Sequence, residues 1–81
     1  MIYFFAAFGS RTQGMRFFDT LKKCGLTTAI VNTPREASIG CGLSVRFCEC
    51  DLDAVRLALL RGHYTAFHGF FEYNRGKVCR I

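Results

Sequence analysis

The chain has 81 residues, 51% hydrophobic and 15% aromatic, which fits one small domain and excludes both a two-domain enzyme and a disordered tail. Eleven Lys and Arg against six acidic residues give a net charge of +5, an inclination towards anionic partners. A domain this short removes only about 60 to 65% of its unfolded surface from water, so its core is thin and a homodimer would be a natural supplement.

Ile2 to Phe8 is a nearly continuous apolar run, the pattern of a central strand covered on both faces. It has no basic leader and is stopped by Gly9, Ser10 and Arg11, too short to span or export, so no membrane association is expected. Ser10 followed by Gln13 makes a capping box, Met15, Phe18 and Leu21 recur at helical spacing, and Lys22 and Lys23 precede Gly25. The spacing predicts a helix over residues 11–24, with Cys24 on its apolar face. Residues 27–33 are β-branched and apolar, a second strand closed by Pro34, and a loop over residues 34–42 follows.

Leu43, Val45 and Phe47 alternate with Ser44, Arg46 and Cys48, the period of a strand with one face on the core. Asp51 can cap a second helix, whose Leu52, Val55 and Leu59 share a face and which ends at Arg61 and Gly62. The last strand is expected over residues 64–73. If the sheet's uncovered face carries aromatics such as Phe67 and Phe71, that patch would be buried in a homodimer. The order strand, helix, strand, strand, helix, strand predicts an α+β fold of the ferredoxin-like split βαβ kind (βαββαβ), an antiparallel sheet with two helices on one face. One domain over residues 1–73 and a C-terminal tail over residues 74–81 are expected.

Five cysteines cannot all pair internally and are irregularly spaced, which favours reduced thiols and a cytoplasmic chain over a secreted disulfide scaffold. The segment that stands out reads PREASIGCGLSVRF and sets Cys41 between Gly40 and Gly42. Flanking glycines remove bulk, so a partner can approach the sulfur and backbone N–H groups can point towards it. Arg35 and Arg46, if folded over the loop, would lower the thiol pKa below its free value of about 8.5. Glu36 could neutralise Arg35, and Ser38 reads either as a turn residue or as a donor to a bound anion. The plain alternative for Cys41 is a small apolar residue packed in a turn.

These residues carry a resemblance. Pro34-Arg35 and Cys41-Gly42, with an apolar first strand ending near Ser10, a helix closed by Lys-Lys-Cys-Gly, and Leu43 and Phe47 following, resemble the small selenium/sulfur carrier-like proteins over nearly the whole chain up to Tyr73. Membership implies a proposed role in which the cysteine holds sulfur or selenium as a persulfide or selenosulfide, and Cys41 is the position that inherits it. The resemblance implies a cysteine desulfurase or selenium donor protein as one partner, a downstream acceptor protein as another, and no cofactor. Such a chain is a stoichiometric carrier rather than a hydrolase, and no acyl-transfer apparatus is evident.

Cys48 and Cys50 depart from what the family leads one to expect. Two residues apart on a strand they point to one face and could act as resolving thiols, while CxC spacing without a second paired cluster sets no expectation of a metal. His63 reads as a cation at a helix end and His68 as a strand residue facing solvent.

Two other classes compete. GSRTQGMRFF, residues 9–18, resembles the phosphate-binding loop of acylphosphatases, with Asn32 after a similar helix and strand, but Arg16 precedes the aromatics and the helix is about one turn short. Tyr3 and Phe5 on one strand of a basic domain resemble an RNA-recognition motif, yet the third strand lacks the aromatic signature that stacks bases, which disfavours nucleic acid.

Overall fold

The computed structural model describes residues 2–34 and 42–81. In chain order these form β1 (Ile2–Phe8), α1 (Arg11–Lys23), β2 (Thr28–Asn32), β3 (Leu43–Phe47), a single 3-10 turn (Glu49–Asp51), α2 (Leu52–Arg61), β4 (Phe67–Asn74) and β5 (Lys77–Arg80). The strands make one antiparallel sheet in the order β2-β3-β1-β4-β5. Its first four strands and two helices follow the split βαβ plan, so the fold is α+β and ferredoxin-like, as the pattern predicts.

β1 is central because both of its faces are apolar. Phe4, Ala6 and Phe8 pack with Phe17 and Leu21 of α1, Val55 of α2, and Val45 and Phe47 of β3. Phe5 and Ala7 turn to the opposite face, beside Phe71. All these residues are buried, and each fully buried Phe contributes roughly 1.5–3 kcal/mol. On the face away from that cluster the aromatics cover one another. Phe5 and Phe71 stack with centroids 5.4 Å apart, Tyr3 and Tyr73 at 5.0 Å, and the Arg80 guanidinium lies 4.9 Å above the Phe71 ring.

Phe67 and Phe71 do not share a face. Ala7 pairs with Gly69 but Phe8 pairs with Phe67, so His68 is an extra residue that flips the alternation of β4. Phe67 therefore joins the cluster containing Phe8 and Phe17, and Phe71 the one around Phe5. Arg80 crosses from β5 to donate from Nη1 to the His68 carbonyl at 3.0 Å.

Residues 74–81, expected as a tail, complete the sheet. Arg75 and Gly76 take φ of 50° and 84°, and register resumes at Asn74 opposite Lys77. Two positive φ values in a two-residue loop match the right-handed twist of the flanking strands. The signal is faint in sequence because a non-glycine residue holds the first left-handed position.

Gln13 also departs from expectation. Ser10 Oγ accepts from its backbone N–H at 3.2 Å, but the side chain reaches across to the segment before β4 instead of back to Ser10. Its Nε2 donates to Thr65 Oγ1 at 2.8 Å and its Oε1 accepts from the Ala66 N–H at 2.9 Å. At the other end of α1, the N–H groups of Gly25 and Leu26 donate to the carbonyls of Lys22 and Leu21, which closes the helix and turns Leu26 onto the core. That geometry makes Cys24 the capping residue and leaves it exposed, so it is not a core thiol.

Candidate functional site

The N-terminus of α1, the end of β2 and the start of β3 converge at one end of the sheet. Gly42 sets their spacing, because a Cβ there would overlap the carbonyl oxygen of Phe8 at the end of β1. A side chain at position 42 is therefore excluded. Gly14 has a matching role on α1: it is buried, and a Cβ would fall 2.8 Å from Leu43 Cδ2, so the helix lies directly on the first residue of β3. Thr33 and Ser44 share a hydroxyl hydrogen bond of 2.8 Å that joins the end of β2 to β3 and satisfies the fully buried Ser44.

Between these elements lies a cleft of about 410 Å³ lined by Gly9, Arg11, Asn32, Thr33 and Gly42. Its chemistry suits an anion. The first-turn N–H groups of a helix have no intrahelical acceptors and carry the positive end of its dipole, and Arg11 is an exposed cation at that end. The His68 ring stands beside Gly9, its Nε2 2.6 Å from where a Cβ on that glycine would be.

Of the residues singled out in sequence, Gly42 lines this cleft. Cys41, Arg35, Ser38 and Gly40 lie outside the described residues. Arg46 is elsewhere: its guanidinium sits 4.6 Å over the Tyr3 ring, and it lines a second cleft of about 530 Å³ with Thr28, Phe47 and Cys48. Arg11, Asn32 and Thr33 are the cleft residues that the cysteine-centred reading passes over. The one sequence signal for them is the GSRTQG loop with its downstream asparagine. Arg16 of that loop is engaged structurally, donating to the His63 carbonyl at 2.7 Å and lying 4.6 Å from the Tyr64 ring centre.

Cys48 and Cys50 come together at the far end of β3. The strand rise of about 3.3 Å per residue sets Cys48 roughly 16 Å from Leu43. Both thiols are exposed, and Cys48 Sγ accepts from the Cys50 backbone N–H at 3.3 Å. The Cys50 thiol is pushed up to about 11, chiefly by its hydrogen bond with Cys48 and further by the negative charge of Asp51. At neutral pH it is a protonated thiol, and therefore a weak nucleophile.

Fold and cleft together define a small split βαβ domain with an anion-suited cleft where Gly42 leads into β3. The model of the family described as "Putative Se/S carrier protein-like" matches residues 3–72, and the chain belongs to that family. The match ends within β4, so β5 lies beyond it. No curated protein and no solved structure matches the chain significantly. Among the described residues no helix is long and apolar enough to cross a membrane.

Proposed function

We propose that the chain carries sulfur or selenium on Cys41 and passes it to an acceptor. The observation that carries this reading is the seating of Gly42: the residue that follows the cysteine is held against the Phe8 carbonyl, in the same cleft as Arg11 and the positive end of α1. Gly42 is one peptide bond from Cys41 in the sequence, and in general an electropositive opening beside a cysteine favours thiolate over thiol. Family membership supports the same role.

In the proposed step the Cys41 thiolate attacks the outer sulfur of a donor persulfide. A new S–S bond forms on Cys41, the donor's S–S bond breaks, and the donor leaves as a thiolate. An acceptor nucleophile then takes the outer atom and returns Cys41 to the thiolate. A selenosulfide forms and discharges in the same way, and no cofactor enters. Arg35, Ser38 and Gly40 are proposed to line the approach with Gly42, and Arg11 is the described cation on the same cleft. A cysteine desulfurase or a selenium donor protein would load the chain, in a cytoplasmic setting.

Intact mass spectrometry after incubation with a cysteine desulfurase and cysteine tests the reading. One added sulfur in the wild type and none in Cys41→Ser is the expected result; an increment indifferent to that substitution refutes it. A second reading draws on one observation, that Arg11 and Asn32 line the same cleft at the end of α1, as an acylphosphatase-like hydrolase would need. Hydrolysis of acetyl phosphate, lost in Asn32→Ala but kept in Cys41→Ser, would favour it over the carrier.

A further inference from the structure

The end of β3 opposite the Gly42 cleft concentrates a different chemistry. Glu49, Asp51 and Asp53 are three of the six acidic residues, gathered within five positions of a chain whose net charge is +5. Cys48 and Cys50 lie among them. The ligand-capable atoms of Cys48, Cys50 and Asp51 are all within 4.8 Å of one another. The 3-10 turn Glu49–Asp51 creates this grouping by folding Asp51 back beside the two sulfurs, which the extended spacing of the sequence does not disclose.

Asp51 is placed unusually for its type. It precedes α2, where an Asp ordinarily accepts from the second or third helical N–H, yet with φ of −101° and ψ of 9° it makes no side-chain capping bond. Its carboxylate is left beside the two sulfurs, three donor atoms that one cation could bridge. The Cys50 N–H donates to Cys48 Sγ at 3.3 Å, a contact of the kind that orients ligand groups from outside the coordination shell.

We propose that Cys48, Cys50 and Asp51 form a surface site for one thiophilic divalent cation of the zinc class. Two sulfurs select zinc over magnesium or calcium, which prefer all-oxygen shells. Tetrahedral zinc, with bonds of about 2.3 Å to sulfur and 2.0–2.2 Å to oxygen, sets its donors a little under 4 Å apart, so no pair of the trio has to close by more than roughly 1 Å. Both cysteines are exposed and can rotate to do so. On binding, each thiol releases its proton to solvent and the cation takes two thiolates and a carboxylate, with no change of oxidation state. Three protein ligands leave the fourth position to water or to a donor from another molecule. The site is independent of the carrier reading, since it uses neither Cys41 nor the Gly42 cleft.

The test is a titration of the reduced protein with Zn²⁺ against a chromophoric chelator, repeated with Co²⁺ to read thiolate-to-metal charge transfer. The background is Cys24→Ser/Cys41→Ser/Cys79→Ser, which keeps only the two thiols of the site. One equivalent bound, with charge transfer appropriate to two thiolates, is expected. Adding Cys48→Ser and Cys50→Ser should abolish the charge-transfer band, and Asp51→Asn should weaken Zn²⁺ binding about 10-fold or more. Circular dichroism of each variant confirms that the fold persists. Absence of binding in the background protein, a stoichiometry of one metal to two chains, or indifference to Asp51→Asn would overturn the proposal.

Discussion

Gly42 lies against the carbonyl oxygen of Phe8 so closely that no side chain can stand between them. This contact fixes where the chain re-enters the sheet after the 34–42 connection, and it does so beside the N-terminus of α1. The glycine of the Cys-Gly motif thus has a structural reason apart from access to sulfur. It sets the distance between the end of β1 and the start of β3.

Gly42→Ala should therefore destabilise the fold by about 1–3 kcal/mol, the ordinary cost of forcing atoms into a filled space. Urea denaturation monitored by circular dichroism measures this. A variant as stable as the wild type would show that the start of β3 can move away from Phe8. Sulfur loading of the same variant should fall as well, because the residue next to Cys41 would be displaced from the cleft.

Arg11 and Arg46 separate in their expected effects. Arg11 lines the cleft with Gly42, while Arg46 lies over Tyr3 in the second cleft. Arg11→Ala should slow sulfur loading by roughly 2- to 5-fold, the scale of one exposed charge near a helix terminus, and Arg46→Ala should leave it unchanged. Initial rates of the one-sulfur mass increment make the comparison. The reverse order would place the working cation at the other end of β3.

Gln13 joins α1 to the segment before β4 through two side-chain hydrogen bonds. Gln13→Ala removes both bonds from a half-buried site that water can reach and should cost about 0.5–1.5 kcal/mol, against a few tenths either way for exposed Thr12→Ala on the same helix. Chemical denaturation of the two variants side by side checks the difference.

Ending the chain after Asn74 removes β5, exposes one edge of β4, and takes Val78 and Arg80 from beside Tyr73 and Phe71. The shortened protein should be less stable and prone to associate through the bared edge and aromatics. Size-exclusion chromatography with light scattering reads association. An unchanged elution and melting temperature would mean that β5 contributes nothing to the sheet.

Much of the architecture is legible in the one-dimensional pattern. The nearly continuous apolar run Ile2–Phe8 has the pattern of a strand covered on both faces, the 3.6-residue spacing from Arg11 and the alternation from Leu43 follow from backbone geometry, and the order of these pieces leaves the split βαβ plan as the natural packing. Local rules reach that far because each residue's neighbours in sequence are also its neighbours within the element. They fail where one residue changes the count or a partner comes from afar. His68, inserted into β4, sends Phe67 and Phe71 to opposite faces, and Gln13 abandons its own helix end for Thr65 and Ala66. Cys24 is exposed because the helix closes one residue before the apolar spacing would end it.

The candidate site divides in the same way. The glycines around Cys41 and the family resemblance can be read from residue order alone, since both are properties of contiguous sequence. That Gly42 meets Phe8, that Arg11 and not Arg46 shares its cleft, and that Asp51 folds back onto Cys48 and Cys50 were decided by the packing of α1 on β3 and by the turn after β3. Those are distances between segments far apart in sequence or bent out of the extended spacing. The first two are set by the burial of side chains between the helices and the sheet, the last by the backbone of the 3-10 turn.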